Sequence, residues 1–297
     1  MTRLSLDALL VLDAIDRRGS FAAAAEALFR VPSAITYSVQ KLEQDLGVML
    51  FDRSGHKAKL TSAGLLLLQE GRTLLDSAAM LEQRVKTHAT GWEGELRIAI
   101  SALLPFARVI QLVREFDELG AQTELRLTRE NFGGMWDALI DGRADLSIGA
   151  PDMPVQGNLY CREMGRASFG FCVAPTHPLA QADEPIPAHE LRKHRIIVLA
   201  DSSRMLTPRS ASIQEGQARL TVSSLDDKID MQCAGLGIGY LPLQHVQKPL
   251  ADGRLLLKAV EDARDPVPLY YAWQTKEPGQ AMAWFLQRLR DFDWQLM

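Results

Sequence analysis

The sequence of 297 residues predicts an α-helical head with a winged helix-turn-helix, a long linking helix, and an α/β body of two lobes. Three observations predict it. Residues 20–47 read as two short helices around a tight break, the second with a polar outward face. Leucines recur every seven residues from Leu60 to Leu81. Beyond about residue 92, strands alternate with helices, the order expected of a parallel sheet with covering helices.

The head opens with Leu6, Leu9, Leu10, Leu12 and Ile15, a helix that ends near Arg17-Arg18-Gly19 and whose apolar face braces the next two. Ser20 caps the second helix, and Phe21-Ala22-Ala23-Ala24-Ala25-Glu26-Ala27-Leu28 has high helix propensity. Phe29-Arg30-Val31 is the break. Pro32 suits the first turn of the third helix, where its missing N–H has no intrahelical partner to lose, and Gly47 suits the end. Ile35, Val39, Leu42 and Leu46 form one apolar stripe, and Ser33, Thr36, Tyr37, Gln40 and Lys41 lie opposite. Met49-Leu50-Phe51 reads as buried. Residues 52–61 read as a β-turn and wing, with three cations and no acid from Arg53 to Lys59. A solvated turn carries the same residues. Beside a helix-turn-helix the better reading is phosphate contact, which releases counterions and fixes register.

The residues Phe21 to Leu28, Ala34-Ile35-Thr36, Lys41-Leu42-Glu43, Leu46-Gly47-Val48-Met49-Leu50-Phe51-Asp52-Arg53 and Leu60-Thr61-Ser62-Ala63-Gly64 form a long, ungapped and specific match. On them the chain resembles the LysR-type transcriptional regulators. Two positions depart: the family usually carries Gln where Pro32 stands and Arg where Tyr37 stands. The resemblance implies a regulator that binds double-stranded promoter DNA and answers a small organic effector. It implies no base preference. The expected DNA contacts are Thr36, Tyr37 and Gln40 towards base edges, with Ser20, Ser33, Arg53, Lys57 and Lys59 on phosphates and Arg30 and Pro32 beside them. Gln40 can read adenine bidentately, and Tyr37 can meet a thymine methyl.

Thr61-Ser62-Ala63-Gly64 opens a helix reaching about His88. Leu60, Leu67, Leu74 and Leu81 are one heptad position; Gly64, Gly71, Ala78 and Val85 are another, with small residues that admit a close neighbour. Some 25 residues of helix span ~38 Å, more than the head can cover. The expected partner is the same helix of a second subunit, through Leu67, Leu74, Ala78, Leu81 and Val85, giving a homodimer with two recognition helices. The resemblance implies the same dimerisation role, and a dimer of dimers beyond it. The domains expected are 1–61 for DNA binding, 62–89 for the linker, and 92–297 for the effector, with lobe I at about 92–162 and 266–297 and lobe II at about 163–265.

Within the body, residues 95–100, 123–128, 145–149, 169–174, 195–199 and 218–222 read as strands; 106–119, 134–142, 224–234 and 279–292 read as helices. By resemblance this body is similar to periplasmic solute-binding proteins, with a ligand cleft between the lobes. Ligands in open α/β sheets sit beyond the carboxyl ends of strands. Those ends supply Ser101, Ala102, Leu103, Thr128, Glu130, Ala150, Asp201, Ser202 and Ser203, with Leu104, Phe106, Phe132 and Trp136 as apolar walls. The apolar lining points to an aromatic or otherwise poorly charged effector.

Other chemistry finds little support. Gly235, Gly237 and Gly239 are spaced GxGxG and precede a strand, the reverse of a dinucleotide loop. The six histidines form no HExxH or i,i+4 pair, so neither metal nor other cofactor is expected. Cys161, Cys172 and Cys233 have no metal or disulfide spacing and suit buried thiols in a reducing cytoplasm. No apolar run reaches membrane-spanning length and no signal-peptide core opens the chain. The net charge is −4, while residues 1–61 hold eight Lys/Arg against seven Asp/Glu, so bulk charge does not mark a nucleic-acid binder. The alternatives are a solute-binding protein without DNA activity, and an α/β enzyme using Cys233 or His177. The 60-residue head argues against the first, and the lack of a partner constellation against the second.

Overall fold

The structure, a computed structural model, describes residues 4–52, 58–152, 159–207, 216–274 and 277–294, with the backbone alone at 80, 83, 84, 86–88 and 90. The chain divides into two compact units, Met1–Val85 and Lys86–Met297. No described helix is long and apolar enough to cross a membrane.

In the first unit, α1 (Leu6–Arg18) closes on Gly19, whose φ of 75° suits glycine. Helix α2 (Phe21–Ala27) starts at Ser20, whose Oγ accepts from the Ala23 N–H at 3.1 Å. The turn to α3 (Pro32–Leu46) passes through Phe29, at φ 53° a strained, left-handed phenylalanine that is almost wholly exposed. Ile35, Val39 and Leu42 pack with Val11, Leu12, Ile15, Ala24 and Ala25. The stripe ends a turn earlier than expected. Leu46 is 40% exposed and Met49 59%, because Gly47 turns the chain away and Glu43 takes the last inward position. The buried Glu43 carboxylate accepts from the N–H groups of Leu50 (2.8 Å) and Phe51 (3.1 Å), which ties β1 (Phe51–Asp52) to the end of α3. Strand β1 pairs antiparallel with β2 (Lys59–Leu60).

Helix α4 (Ser62–Thr90) follows, capped where Thr61 Oγ1 accepts from the Gly64 N–H at 3.1 Å. The small residues of its first half serve the same subunit. A Cβ at Gly64 would overlap the carbonyl oxygen of Leu50, and one at Gly71 would lie 2.7 Å from Leu9 Cδ2. Arg72 adds ion pairs to Asp13 (2.7 Å) and Asp16 (2.8 Å) of α1. Gly64 and Gly71 are therefore small so that α4 can seat against its own head, which corrects the expected role of the first two heptad glycines. Leu67 likewise packs on the head core. Farther along, Leu74, Leu81 and Val85 are exposed, and Ala78 is half-buried.

The second unit begins with β3 (Glu95–Ser101), α5 (Phe106–Asp117), β4 (Glu124–Glu130), α6 (Gly134–Ile140), β5 (Leu146–Pro151) and β6 (Tyr160–Ala167). The chain then crosses at Ser168 to β7 (Phe169–Val173), α7 (Ala188–Leu191), β8 (Ile196–Leu199), β9 (Arg219–Val222), α8 (Leu225–Cys233), β10 (Gly239–Pro242), α9 (Leu243–Ala251) and β11 (Leu256–Lys258). It returns on β12 (Val267–Trp273) and ends in α10 (Gln280–Asp291).

The sheet of lobe I has the order β4-β3-β5-β12-β6. Its β3 pairs are parallel, but β12 runs antiparallel to both β5 and β6, so the sheet is mixed rather than parallel. The reason is the return crossing: β12 enters from lobe II and so runs against β5. Strand β6 also belongs here, which puts the first crossing at Ser168 rather than near 162. In lobe II, β10-β7-β11 and the parallel pair β8-β9 join through a bridge between Ile196 and Ile238. Leu96, Ile98, Ile100, Phe116 and Phe285 centre the lobe I core.

Candidate DNA-binding and ligand-binding sites

On α3 the buried stripe turns the opposite side to solvent. Tyr37 is 65% exposed, and Ser33, Gln40 and Lys41 are exposed with it. Thr36 is half-buried, and its hydroxyl donates to the Pro32 carbonyl at 3.1 Å, so the helix already uses its proton. The N-cap residue, Val31, makes no side-chain cap, and Pro32 occupies the first turn. The Ser33 end of α3 is thus an uncapped helix N-terminus, where an anion finds N–H groups and the positive dipole end. Arg30 is not a free cation: its guanidinium grips Asp7 at 2.6 and 3.0 Å, and this pairing holds the Asp7 carboxyl below its ordinary range. Ser20 is occupied as a cap. Lys59 is exposed on β2, whereas Arg53 and Lys57 lie outside the described residues.

In the second unit a cavity of about 180 Å³ lies between the lobes. Lobe I lines it with Ser101, Ala102 and Leu103 after β3, Asn131 and Phe132 after β4, and Pro151 and Asp152 at the end of β5. Lobe II contributes Leu199, Leu225, Lys228, Tyr240 and Pro242, and the crossing segments add Phe169, Arg264 and Val267. Of the nine expected ligand residues, only Ser101, Ala102 and Leu103 line this cavity. Thr128 is exposed because β4 runs on to Glu130, so the strand end falls two residues later. Ala150 is wholly buried in the lobe I core, as are Leu104 and Trp136, and Phe106 is 45% exposed.

Glu130 and Asp201 to Ser203 fasten the lobes together instead. Asp201 accepts from the N–H groups of Gly133 (3.3 Å) and Gly134 (3.2 Å) at the start of α6. The Ser202 hydroxyl donates to Glu130 and accepts from the Asn131 N–H at 2.8 Å. Glu130 also pairs with Arg143 at 2.5 Å. One turn into α6, the fully buried Asp137 accepts from the N–H groups of Arg204 (2.8 Å), Met205 (3.2 Å) and Leu206 (3.1 Å) and from Arg143 (3.2 Å). Across the same gap, Gln244 Nε2 donates to the Leu103 carbonyl at 3.0 Å, and His245 Nε2 lies 3.0 Å from that oxygen. Burial pushes the His245 pKa down.

The charged lining, Lys228 and Arg264, lies outside the residues expected from the strand ends. Leu225, Lys228, Ile229 and Gln232 share the inward face of α8, so a lysine sits within an apolar stripe; that spacing was the available signal. Burial first, and the Arg264 charge second, lower the Lys228 pKa to about 8. The Arg264 guanidinium lies 3.8 Å from the centre of the Phe169 ring. Elsewhere, His177 Nδ1 accepts from the Leu179 N–H at 3.2 Å and its ring meets that of His194, while Cys233 is half-buried and burial raises its thiol pKa. No group of three potential metal ligands occurs among the described residues.

An outward helix-turn-helix face in one unit and a ligand-sized cavity between two lobes in the other define a DNA-binding protein with a ligand-sensing body. The chain belongs to the LysR family. Residues 6–65 match the bacterial regulatory helix-turn-helix protein, lysR family, and residues 89–293 match the LysR substrate binding domain. It is 40% identical to the probable HTH-type transcriptional regulator YhaJ of Escherichia coli (strain K12) over 290 residues, 96% of each chain. It is 36% identical to the HTH-type transcriptional regulator PunR of the same strain over 282 residues, 95% of this chain and 91% of that one. Its fold matches full-length CbnR complexed with the target DNA at a TM-score of 0.66 and 20% identity, covering 98% of this chain and 100% of that one. The protein is thus a LysR-type DNA-binding transcriptional regulator with a substrate-binding effector domain.

Proposed function

We propose that this regulator reads its operator through the α3 face and is switched, without a catalytic step, by a small organic effector held between the lobes. The single observation that carries the first half is the two-sided α3: Ile35, Val39 and Leu42 buried, Tyr37 and Gln40 exposed. Tyr37 and Gln40 meet base edges. Ser33 and the uncapped start of α3 meet phosphate, with Lys59, Arg53 and Lys57 beside them on the wing. Arg30 and Ser20 act by holding α2 and α3 in place, Pro32 sets the first turn, and Thr36 contributes its methyl group. Leu74, Ala78, Leu81 and Val85 pair α4 with its copy, and the exposed strip of Phe106, Ile110 and Leu127 offers a second contact for a dimer of dimers. The protein works in the cytoplasm.

Effector binding acts as a population shift. It favours one closure of the lobes over another, and the dimer's half-site spacing or DNA bend follows. The test of base reading is Gln40→Ala against every single-base operator variant. A lost bidentate contact costs about 1–3 kcal/mol and flattens the preference at one position. A preference profile identical to wild type would remove Gln40 from the readout.

A further inference from the structure

Lys228 and Arg264 put two cations into a cavity whose other lining is largely apolar, and Asp152 is the one acid among the lining residues. We propose that this cavity takes a monocyclic organic monoanion, its charged group held by Lys228 and Arg264 and its ring against Phe132, Leu103 and Leu199. The proposal rests on the reading of this cavity as the effector site.

Four observations carry it. Lys228 is half-buried on the cavity wall and makes no hydrogen bond or ion pair among the described residues, so its ammonium is open to an anion that enters the cavity. The charge of the lining then fixes the valence: Asp152 acts on Arg264, so two cations and one acid leave one positive charge unanswered. The volume fixes the size. About 180 Å³ is close to the ~150 Å³ of an apolar cavity that holds benzene, so there is room for one ring and a small substituent. The walls are fixed as well. Of three described non-glycine residues with positive φ, Phe132 (48°) and Asp152 (57°) both line the cavity, and such strain gathers where a site is pre-formed.

The groups around Lys228 are Arg264 and Asp152, the Tyr240 phenol and the Cys172 thiol, which burial raises to about 12, with Asp226 and Asp227 beside it on α8. Lys228 therefore loses its charge first as pH rises, while a carboxylate keeps its own. Anion affinity declines as pH passes about 8.

The test is calorimetric titration of the full chain with benzoate and with benzamide, its neutral counterpart of similar shape. Saturable benzoate binding is expected, with benzamide at least about tenfold weaker, and benzoate affinity should fall on going above the Lys228 pKa. Lys228→Met should weaken benzoate by about tenfold to a hundredfold, benzamide by less than that, and abolish the pH dependence of benzoate binding. Lys228→Arg should restore benzoate binding. Equal affinity for the two probes, wild-type benzoate binding by the K228M protein, or no saturable benzoate binding would overturn the proposal. The comparison of probes on the wild-type chain stands even if a variant folds poorly. Operator affinity measured on the same preparations reports on the regulator reading separately, and its loss in the wild-type chain would sink that reading and not the cavity's preference for anions.

Discussion

The double substitution Leu74→Asp, Leu81→Asp is expected to yield a folded monomer with about 10²–10⁴-fold weaker operator binding, the range lost when two linked contacts become one. The two leucines are 47% and 60% exposed, and Val85 is 63% exposed, on a helix whose earlier turns are already committed to its own head. Exposed apolar side chains in line along a helix mark a surface that another helix covers. Two carboxylates facing two more across a dimer seam would be desolvated and mutually repelled, whereas in a monomer they cost little because water surrounds them. Light scattering separates the cases. A dimer retaining full operator affinity would show that α4 pairs elsewhere or not at all.

The second large effect is at Asp137. Its carboxylate is fully buried and accepts from three consecutive backbone N–H groups, those of Arg204, Met205 and Leu206, as well as from Arg143. Asp137→Ala leaves those N–H groups without an acceptor and Arg143 with one acid fewer. A destabilisation of about 3 kcal/mol follows, near the lower end for breaking a buried pair because the 204–206 loop can recover some bonds from water. Urea unfolding followed by tryptophan fluorescence measures it, and hydrogen exchange at residues 204–206 should quicken with it. A loss under about 1 kcal/mol would mean that the loop is held by something else.

Most of the head was legible in the sequence because its signals are local. Ser20 caps, Pro32 starts, Gly19 and Gly47 stop, and the Ile35-Val39-Leu42 spacing sets the buried side. The misses there came from tertiary demands. Glu43 looks like a surface residue until its carboxylate is found tied to the N–H groups of Leu50 and Phe51. Gly64 and Gly71 fit a dimer seam as well as a close approach within one subunit, and only the neighbours of each decide.

The body was harder to read. Strand β6 carries Arg162, Glu163, Gly165 and Arg166 at a sheet edge, so it lacks the apolar alternation that marks a half-buried strand. Helix α9 begins after Pro242 and runs through Pro249, a residue that argues against a helix where it stands. The cavity lining was missed for a related reason. It comes from eight separated segments, and what sets Lys228 apart is its place on the cavity wall without a partner among the described residues, which spacing hints at but does not establish. Asp201 to Ser203 were placed beyond a strand end, correctly, but their polar atoms meet α6 and β4 rather than the cavity.

The proposed operator reading rests on α3 presenting Tyr37 and Gln40 to a duplex groove. The direct measurement is fluorescence anisotropy of the wild-type protein with the DNA upstream of its own gene and with a scrambled duplex of equal length and composition, each across a series of salt concentrations. Binding to the upstream duplex is expected to be at least about 10³-fold tighter than to the scrambled one. Equal affinities falling together with salt would mean that the protein holds only phosphates and that the α3 face reads nothing.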